Sequence, residues 1–209
     1  MILKVVVVGP YMENTYIVGC EKSGEAALVD AGAEGEAILK AVGDSGLKVK
    51  IMINTHGHED HVGAVAVIKE ATDALFAIHD RDVPIMHKPP GSASMIPDFR
   101  DPPDPDICLK EGDTIEIGEL RFKVLETHGH TPGGVSFLGH GVVFTGDTLF
   151  RGSVGRTDFE GGNWEQLINS IRTKLLTLPD ETVVLPGHGP DSTIGAERQW
   201  NPFLKEGAV

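Results

Sequence analysis

Residues 55–63 read THGHEDHVG and place His56, His58, Asp60 and His61 directly after the apolar run at residues 50–53. Where a strand runs out in extended conformation, alternate residues share a face, so His56 and His58 can address one cation. The turn that follows brings Asp60 and His61 round toward a second. A helix starting behind them also favours the Asp60 anion. Three imidazoles packed together without a metal would acquire like charges as the pH falls, a cost with no structural return. A bound metal offsets that cost.

Three further candidates stand in equivalent positions, each just beyond an apolar run and flanked by glycine: His130 in HGHTPGG, Asp147 in FTGDTLF and His188 in LPGHGP. Glycines let the chain turn sharply and leave room around ligands. The seven residues divide into His56, His58 and His130 for one ion, Asp60, His61 and His188 for another, and Asp147 as a bridge. Imidazole and carboxylate ligation without cysteine suits zinc first, with iron or manganese as alternatives. Two divalent ions about 3.5–4 Å apart can share a water whose pKa falls to roughly 7, which supplies a nucleophilic hydroxide at neutral pH. Asp60 and Asp147 are thus the carboxylates assigned to the chemistry, and both are committed to metal. With no other strong general acid in the motifs, the leaving group must depart without a proton. A thiolate, whose acid has a pKa of about 8.5, does so, whereas an amine does not.

The elements that position these residues are also legible. Apolar runs ending in turn residues at VVVVGP, AALVDAG, KIMINTHG, GVVFTGD and TVVLPGHG read as buried strands, and helical patterns lie between several of them. Alternating buried strands and helices predict a layered α/β fold. The clearest helix is NWEQLINSIRTKLLTLP, with Trp164, Leu167, Ile168, Ile171 and Leu175 on one face, Asn163 and Gln166 as a capping box, and Pro179 beyond the end. A second helix carries Ile38, Leu39 and Val42, and a third runs from near Val62 to about Ala71. Residues 84–105 hold seven of the thirteen prolines and no sustained period, which predicts a stiffened loop. Met86, Met95, Ile96 and Phe99 equip that loop to act as a lid. The two halves share a loose plan, with Asp30 in LVDAG and Asp147 in FTGDT at comparable strand ends.

The whole chain has 209 residues, 18 Lys and Arg against 31 Asp and Glu, and a formal charge of −13. One domain spanning residues 1–209 is the simplest arrangement. The acidic balance disfavours nucleic-acid and anionic membrane partners. Cys20 and Cys108 cannot build a disulfide framework, and the start MILKVVVVGP is too short for a signal or spanning segment, so the expected compartment is the cytoplasm.

The chain resembles the metallo-β-lactamase fold superfamily, and within it the small hydrolases of the glyoxalase II type. The resemblance rests on VDAG near Asp30, THGHEDH, GHTPGG, TGDTLF followed by RGSVGRTDFEGG, and LPGHGP followed by TIGAERQWNPFL. It implies a four-layer αββα sandwich with two metals at one edge between the sheets. It also implies a supporting, non-ligating role for Asp30. The family's ligand stands immediately before Thr-Pro-Gly, which selects His130 over His128; His79, His87 and His140 match no motif and are expected at the surface. In such enzymes the loop after the bridging aspartate supplies a basic residue for the glutathione glycine carboxylate, which points to Arg156, with Arg151 nearby. The chain ends 21 residues after His188, without the C-terminal helical domain of the longer enzymes, so a smaller thiol carrier is an alternative to glutathione. The expectation is a dinuclear hydrolase of S-(2-hydroxyacyl)glutathione or a related small-molecule thioester, with the oligomeric state left open. A competing reading is a persulfide dioxygenase holding one iron at His56, His130 and Asp147, which would leave His188 idle. A catalytically inactive metal-binding or regulatory module is a third. Amide cleavage by a β-lactamase would require protonation of nitrogen, and a nuclease of this superfamily conflicts with the acidic charge.

Overall fold

A computed structural model describes residues 1–87, 94–97 and 99–205. The first sheet contains β1 (Ile2–Val8), β2 (Glu13–Gly19), β3 (Glu25–Val29), β4 (Lys48–Ile53), β5 (Leu75–His79) and β6 (Ile107–Leu109), in that spatial order. β1, β2 and β3 pair antiparallel, and β3 through β6 pair parallel. The second sheet begins with β7 (Thr114–Ile117), β8 (Leu120–Glu126), β9 (Val135–Gly139) and β10 (Val142–Gly146). A short ribbon of β11 (Leu149–Phe150) and β12 (Ser153–Val154) follows. The chain then returns through β13 (Val183–Pro186), parallel to β10, and β14 (Ser192–Thr193), giving the order β14-β13-β10-β9-β8-β7.

Side-chain alternation along these strands builds three apolar layers. Ile17, Leu28, Met52, Phe76 and Ile78 face the helices α1 (Gly35–Gly43) and α3 (Val65–Thr72), where Ile38, Val42, Val65 and Ile68 meet them. Tyr16, Val18, Val29, Ile51 and Ile53 on the opposite face interdigitate with Ile115, Phe122, Val124, Phe137 and Phe144 of the second sheet. Val143 and Val184 then point outward against Leu167, Ile171 and Leu175. Helix, sheet, sheet and helix are therefore stacked in four layers, the expected αββα arrangement. Val49 and Ile51 share strand parity yet enter different layers, because a register shift opposite Ala26 and Ala27 inserts one residue between them.

The remaining helices are α2 (Glu59–Val62), α4 (Val83–Met86), α5 (Trp164–Ser170) and α6 (Ile194–Trp200). Asn163 caps α5 by accepting the Gln166 N–H at 3.0 Å. The helix does not continue as a regular α-helix to residue 178. Its next turn, Ile171–Leu175, is π-helical, and this wider turn keeps Ile171 and Leu175 fully buried beneath Leu167.

One expectation about apolar material is corrected, and another falls partly outside the described residues. The valine run is an edge strand, and Val5 and Val7 are 53% and 50% exposed. Only Val6 and Val8 reach the helical layer; the other face, opposite Tyr16 and Val18, extends past the inter-sheet core. Within residues 84–105, positions 88–93 and 98 lie outside the described residues. Met86 and Ile96 are buried in the first core, and Phe99 packs against it, whereas Met95 is exposed. Much of the apolar content assigned to a lid is thus committed to the interior. No helix among the described residues is long and apolar enough to cross a membrane.

Candidate metal centre and its cleft

Strands β3, β4, β10 and β13 end at a common edge, and each releases one motif there: Asp30 after β3, His56 to His61 after β4, Asp147 after β10 and His188 after β13. β8 ends beside them and leads to His130. Such loops beyond the carboxyl ends of parallel strands are a natural place for a ligand site. Two backbone features make the convergence possible. Gly146 has φ +48°, and a Cβ there would lie 2.1 Å from Thr55 Oγ1. A Cβ on Gly187 would sit 2.5 Å from Asp147 Oδ1 and 2.6 Å from His61 Cε1, so only glycine lets β13 approach this closely.

Every sequence-predicted ligand reaches one cluster. His130 Nε2 lies 3.0 Å from His58 Nδ1, and His56, His58 and His130 form one convergent group. His61 Nε2 and His188 Nε2 are 3.3 Å apart, and Asp60 Oδ2 is 3.3 Å from His188 Nε2, which forms a second group. Asp147 stands between them: Oδ2 is 3.6 Å from His130 Nε2, while Oδ1 is 3.4 Å from His61 Nε2 and 3.6 Å from His188 Nε2.

The surrounding acceptors fix which ring nitrogens carry protons. The carbonyls of Arg156 and Tyr11 can only accept, so they take the Nδ1–H of His130 at 2.7 Å and of His188 at 3.0 Å. The Asp30 carboxylate takes His61 Nδ1–H at 3.0 Å. All three rings are thereby oriented with Nε2 aimed into the cluster. His56 Nε2 and Asp147 Oδ1 are buried there without a hydrogen-bond partner. His58 Nδ1 and His130 Nε2 face each other at 3.0 Å, and His61 Nε2 and His188 Nε2 at 3.3 Å, around a common interior. Ligand nitrogens about 2.0–2.1 Å from a tetrahedral ion are separated by about 3.3–3.4 Å, so the spacing suits a divalent metal.

Asp30 supports the centre, as expected. Its Oδ1 accepts the Thr55 N–H and its Oδ2 the Thr55 hydroxyl, both at 2.7 Å, while its carboxylate also orients His61. The electrostatics favour a cation. Burial opposes charge on His61, but Asp147, Asp30 and Asp60 together hold its pKa well above the ordinary value. Burial likewise tends to raise Asp60, and the His61 and His188 imidazoles outweigh it, leaving the carboxyl far below its usual range. His58 is pushed down to about 4 by burial and by neighbouring His130 and His61.

Several supporting residues carry no motif and were missed. Asp82, fully buried, accepts Gly57 N–H at 2.9 Å, Thr131 Oγ1–H at 2.7 Å and Gly133 N–H at 2.6 Å, tying the His56–His58 loop to the His130 loop. Asn14 Nδ2 and Tyr16 OH donate to Pro186 O and brace the His188 loop from β2. Nothing in the HDRDVP segment marks Asp82 without knowledge of what packs on it.

A cleft of about 950 Å³ opens over the cluster, with Tyr11, Arg81, Ile85, Arg156 and Phe159 in its walls. Arg156 forms a two-pronged pair with Asp158, at 2.7 and 2.6 Å, and its guanidinium lies 4.1 Å over the Phe159 ring. Arg151 is exposed and does not line this cleft. Arg81, which sequence reading overlooked, does, and no carboxylate lies within 4 Å of its guanidinium among the described residues. His79 is not at the surface: it is 4% exposed, because β5 is interior to its sheet and ends beneath the β8–β9 connection.

Comparison with known proteins agrees with this architecture. A hydroxyacylglutathione hydrolase, GloC, of Haemophilus influenzae is 36% identical over 210 residues, covering 98% of both chains. The crystal structure of the BLEG-1 B3 metallo-beta-lactamase superposes with a TM-score of 0.89 at 33% identity, covering 98% of this chain and 100% of that one. That of TTHA1623 in a di-iron-bound form gives 0.84 at 40% identity, covering 96% and 100%. The description "Metallo-beta-lactamase superfamily" matches residues 8–188. Its fold and its convergent histidine and aspartate ligands alike place this chain in the metallo-β-lactamase superfamily, as a metal-dependent hydrolase.

Proposed function

We propose that the chain hydrolyses thioesters at a dinuclear centre, with S-(2-hydroxyacyl)glutathione or a related thiol ester as substrate and zinc as the first-choice ion. The observation that carries the reading is Asp147, whose two oxygens face the two ligand triads separately. A mononuclear site on His56, His130 and Asp147 would leave the Asp60, His61 and His188 group without a purpose. Bound divalent ions would supply Lewis acidity and water activated near neutral pH.

The protein's own groups define the rest. His61, His130 and His188 are locked with Nε2 inward by Asp30 and two carbonyls, so no reorganisation is required when the centre is loaded. Asp60, held proton-poor by His61 and His188, has no proton to give a leaving group at neutral pH. This favours substrates that expel a thiolate over those that expel an amine. Arg81 and Arg156 offer positive charge to substrate carboxylates at the cleft wall, and Ile85 and Phe159 give the acyl or thiol stem an apolar surface. The 36% identity to GloC supports this substrate class.

Metal content per chain, measured beside hydrolysis of a lactoyl-glutathione thioester, tests the proposal. Two ions and thioester turnover are expected. One iron per chain with oxygen uptake on glutathione persulfide and no thioesterase activity would overturn it, as would turnover confined to a β-lactam.

A further inference from the structure

Beyond the seven ligands, the structure gathers a separate set of donor atoms. His79 at the end of β5, Glu126 at the end of β8 and His128 just after it offer three ligand atoms within 4.8 Å of one another. Both imidazoles are buried, His79 at 4% and His128 at 7% exposure, with ring centroids 5.0 Å apart.

Hydrogen bonding makes this cluster incomplete as it stands. His128 Nδ1 lies 3.0 Å from the Gly134 carbonyl, which can only accept, so Nδ1 carries the proton and Nε2 presents a lone pair. That Nε2 is buried and has no hydrogen-bond partner. It faces Glu126 Oε2 at 3.2 Å, one acceptor against another. The carboxylate does not swing away freely, because Oε1 accepts the Glu111 N–H at 3.0 Å while lying 3.4 Å from His79 Nε2. A positive species between these atoms would remove the conflict.

We propose that His79 Nε2, His128 Nε2 and the Glu126 carboxylate form a second, independent site for a divalent transition ion of the zinc type. Two imidazoles and one carboxylate form a donor set for zinc and its neighbours, not for calcium or magnesium, which take oxygen ligands. His128 Nε2 faces Glu126 Oε2 at 3.2 Å and His79 Nε2 faces Oε1 at 3.4 Å, so each imidazole stands opposite its own carboxylate oxygen at a distance that an ion bound at about 2.0–2.2 Å can span. Binding shifts one tautomer. His79 Nδ1 now accepts the Arg81 N–H at 3.1 Å, so its proton resides on Nε2; on loading, Nε2 releases that proton and Nδ1 takes one up toward Asp80 Oδ1, 3.0 Å away. A carboxylate behind a ligating histidine is the usual arrangement around metals. Glu126 is 31% exposed, which leaves a face open to water as a fourth ligand. The ion would clamp the end of β5 to the segment that carries His130, a structural role distinct from hydrolysis.

The test is a zinc count by equilibrium dialysis at fixed free zinc, on the full-length protein and on His79→Gln and Glu126→Gln. Each variant is expected to hold one ion fewer per chain than wild type. The same decrement is expected in a His188→Ala background, so the outcome is separable from any failure of the dinuclear reading. Anomalous scattering at the zinc edge should show a peak between His79 and His128. Equal counts in wild type and both variants, with no such peak, would overturn the site and leave a His128 imidazolium–Glu126 ion pair only. If His79→Gln does not fold, Glu126→Gln, which keeps the Glu111 hydrogen bond, gives the same readout.

Discussion

Asp82 offers the sharpest test of how the centre is held together. Replacing it with alanine removes the acceptor of three hydrogen bonds, from Gly57 N, Thr131 Oγ1 and Gly133 N, all in the interior. A buried donor left unsatisfied costs about 1–3 kcal/mol, so three would cost about 3–9 kcal/mol if nothing relaxed. Two terms reduce this. The variant no longer buries a carboxylate, whose desolvation already pushes the Asp82 pKa up, and the freed loops can turn donors toward water. A net loss of about 3–5 kcal/mol follows, which for a chain of this size lowers Tm by about 10 °C. Asp82→Asn should cost less, about 1–2 kcal/mol, because its carboxamide oxygen still accepts while its NH2 must face a remaining donor.

The functional consequence has a direction as well. Gly57 lies between His56 and His58, and Gly133 lies three residues after His130, so the loosened loops are those of the first triad. Affinity for the ion at His56, His58 and His130 should fall about 10–100-fold in Asp82→Asn, as is usual for groups behind metal ligands. The ion at Asp60, His61 and His188 should be affected much less. The assays are urea denaturation in the presence of a chelator and a two-step zinc titration. An Asp82→Ala stability within 0.5 kcal/mol of wild type would refute the account of Asp82 as the tie between the loops. Equal weakening of both ions would refute its local character.

Other perturbations probe the remaining parts. His188→Ala should lower occupancy of the second ion and turnover together; unchanged values of both would remove His188 from the ligand set. Arg81→Ala should raise KM for an anionic thioester about 3–10-fold and more than Arg156→Ala, because Asp158 already engages Arg156; equal, unaltered KM values would assign both arginines to the scaffold. In metal-free protein His58 titrates at about 4 against about 6.5 in an unfolded chain. Between those values the unfolded chain binds a proton that the fold refuses, so the His58 contribution to stability declines as pH falls from about 6.5 to about 4 and levels off below. Denaturation of chelator-treated wild type and His58→Gln should show a smaller loss in the variant over that interval, and a larger one would contradict the argument.

The contrast between what the sequence discloses and what it conceals follows from the range over which each interaction acts. His56, His58, Asp60 and His61 are legible because strand alternation and one turn dictate where neighbours in sequence point. The layering is legible because buried strands must be apolar on both faces, as Val142 to Phe144 are. The valine run misleads for the same reason: four apolar residues satisfy the pattern of a buried strand whether the strand is central or lies at an edge, and only the sheet order settles the matter. Asp82 and His79 are invisible because the groups they meet across the fold are 25 to 51 residues away and share no local pattern with them, and Arg81 because the cleft it lines is assembled from distant segments. His79 shows the consequence most clearly. In sequence it is an unmatched histidine, and in space it stands 3.4 Å from a carboxylate beneath a second buried imidazole. Ligands that belong to one motif announce themselves through their spacing, whereas a site assembled from the ends of β5 and β8 exists only once the two sheets have packed. Spacing therefore discloses a centre whose ligands are neighbours in sequence and conceals a cluster whose donors meet only in space.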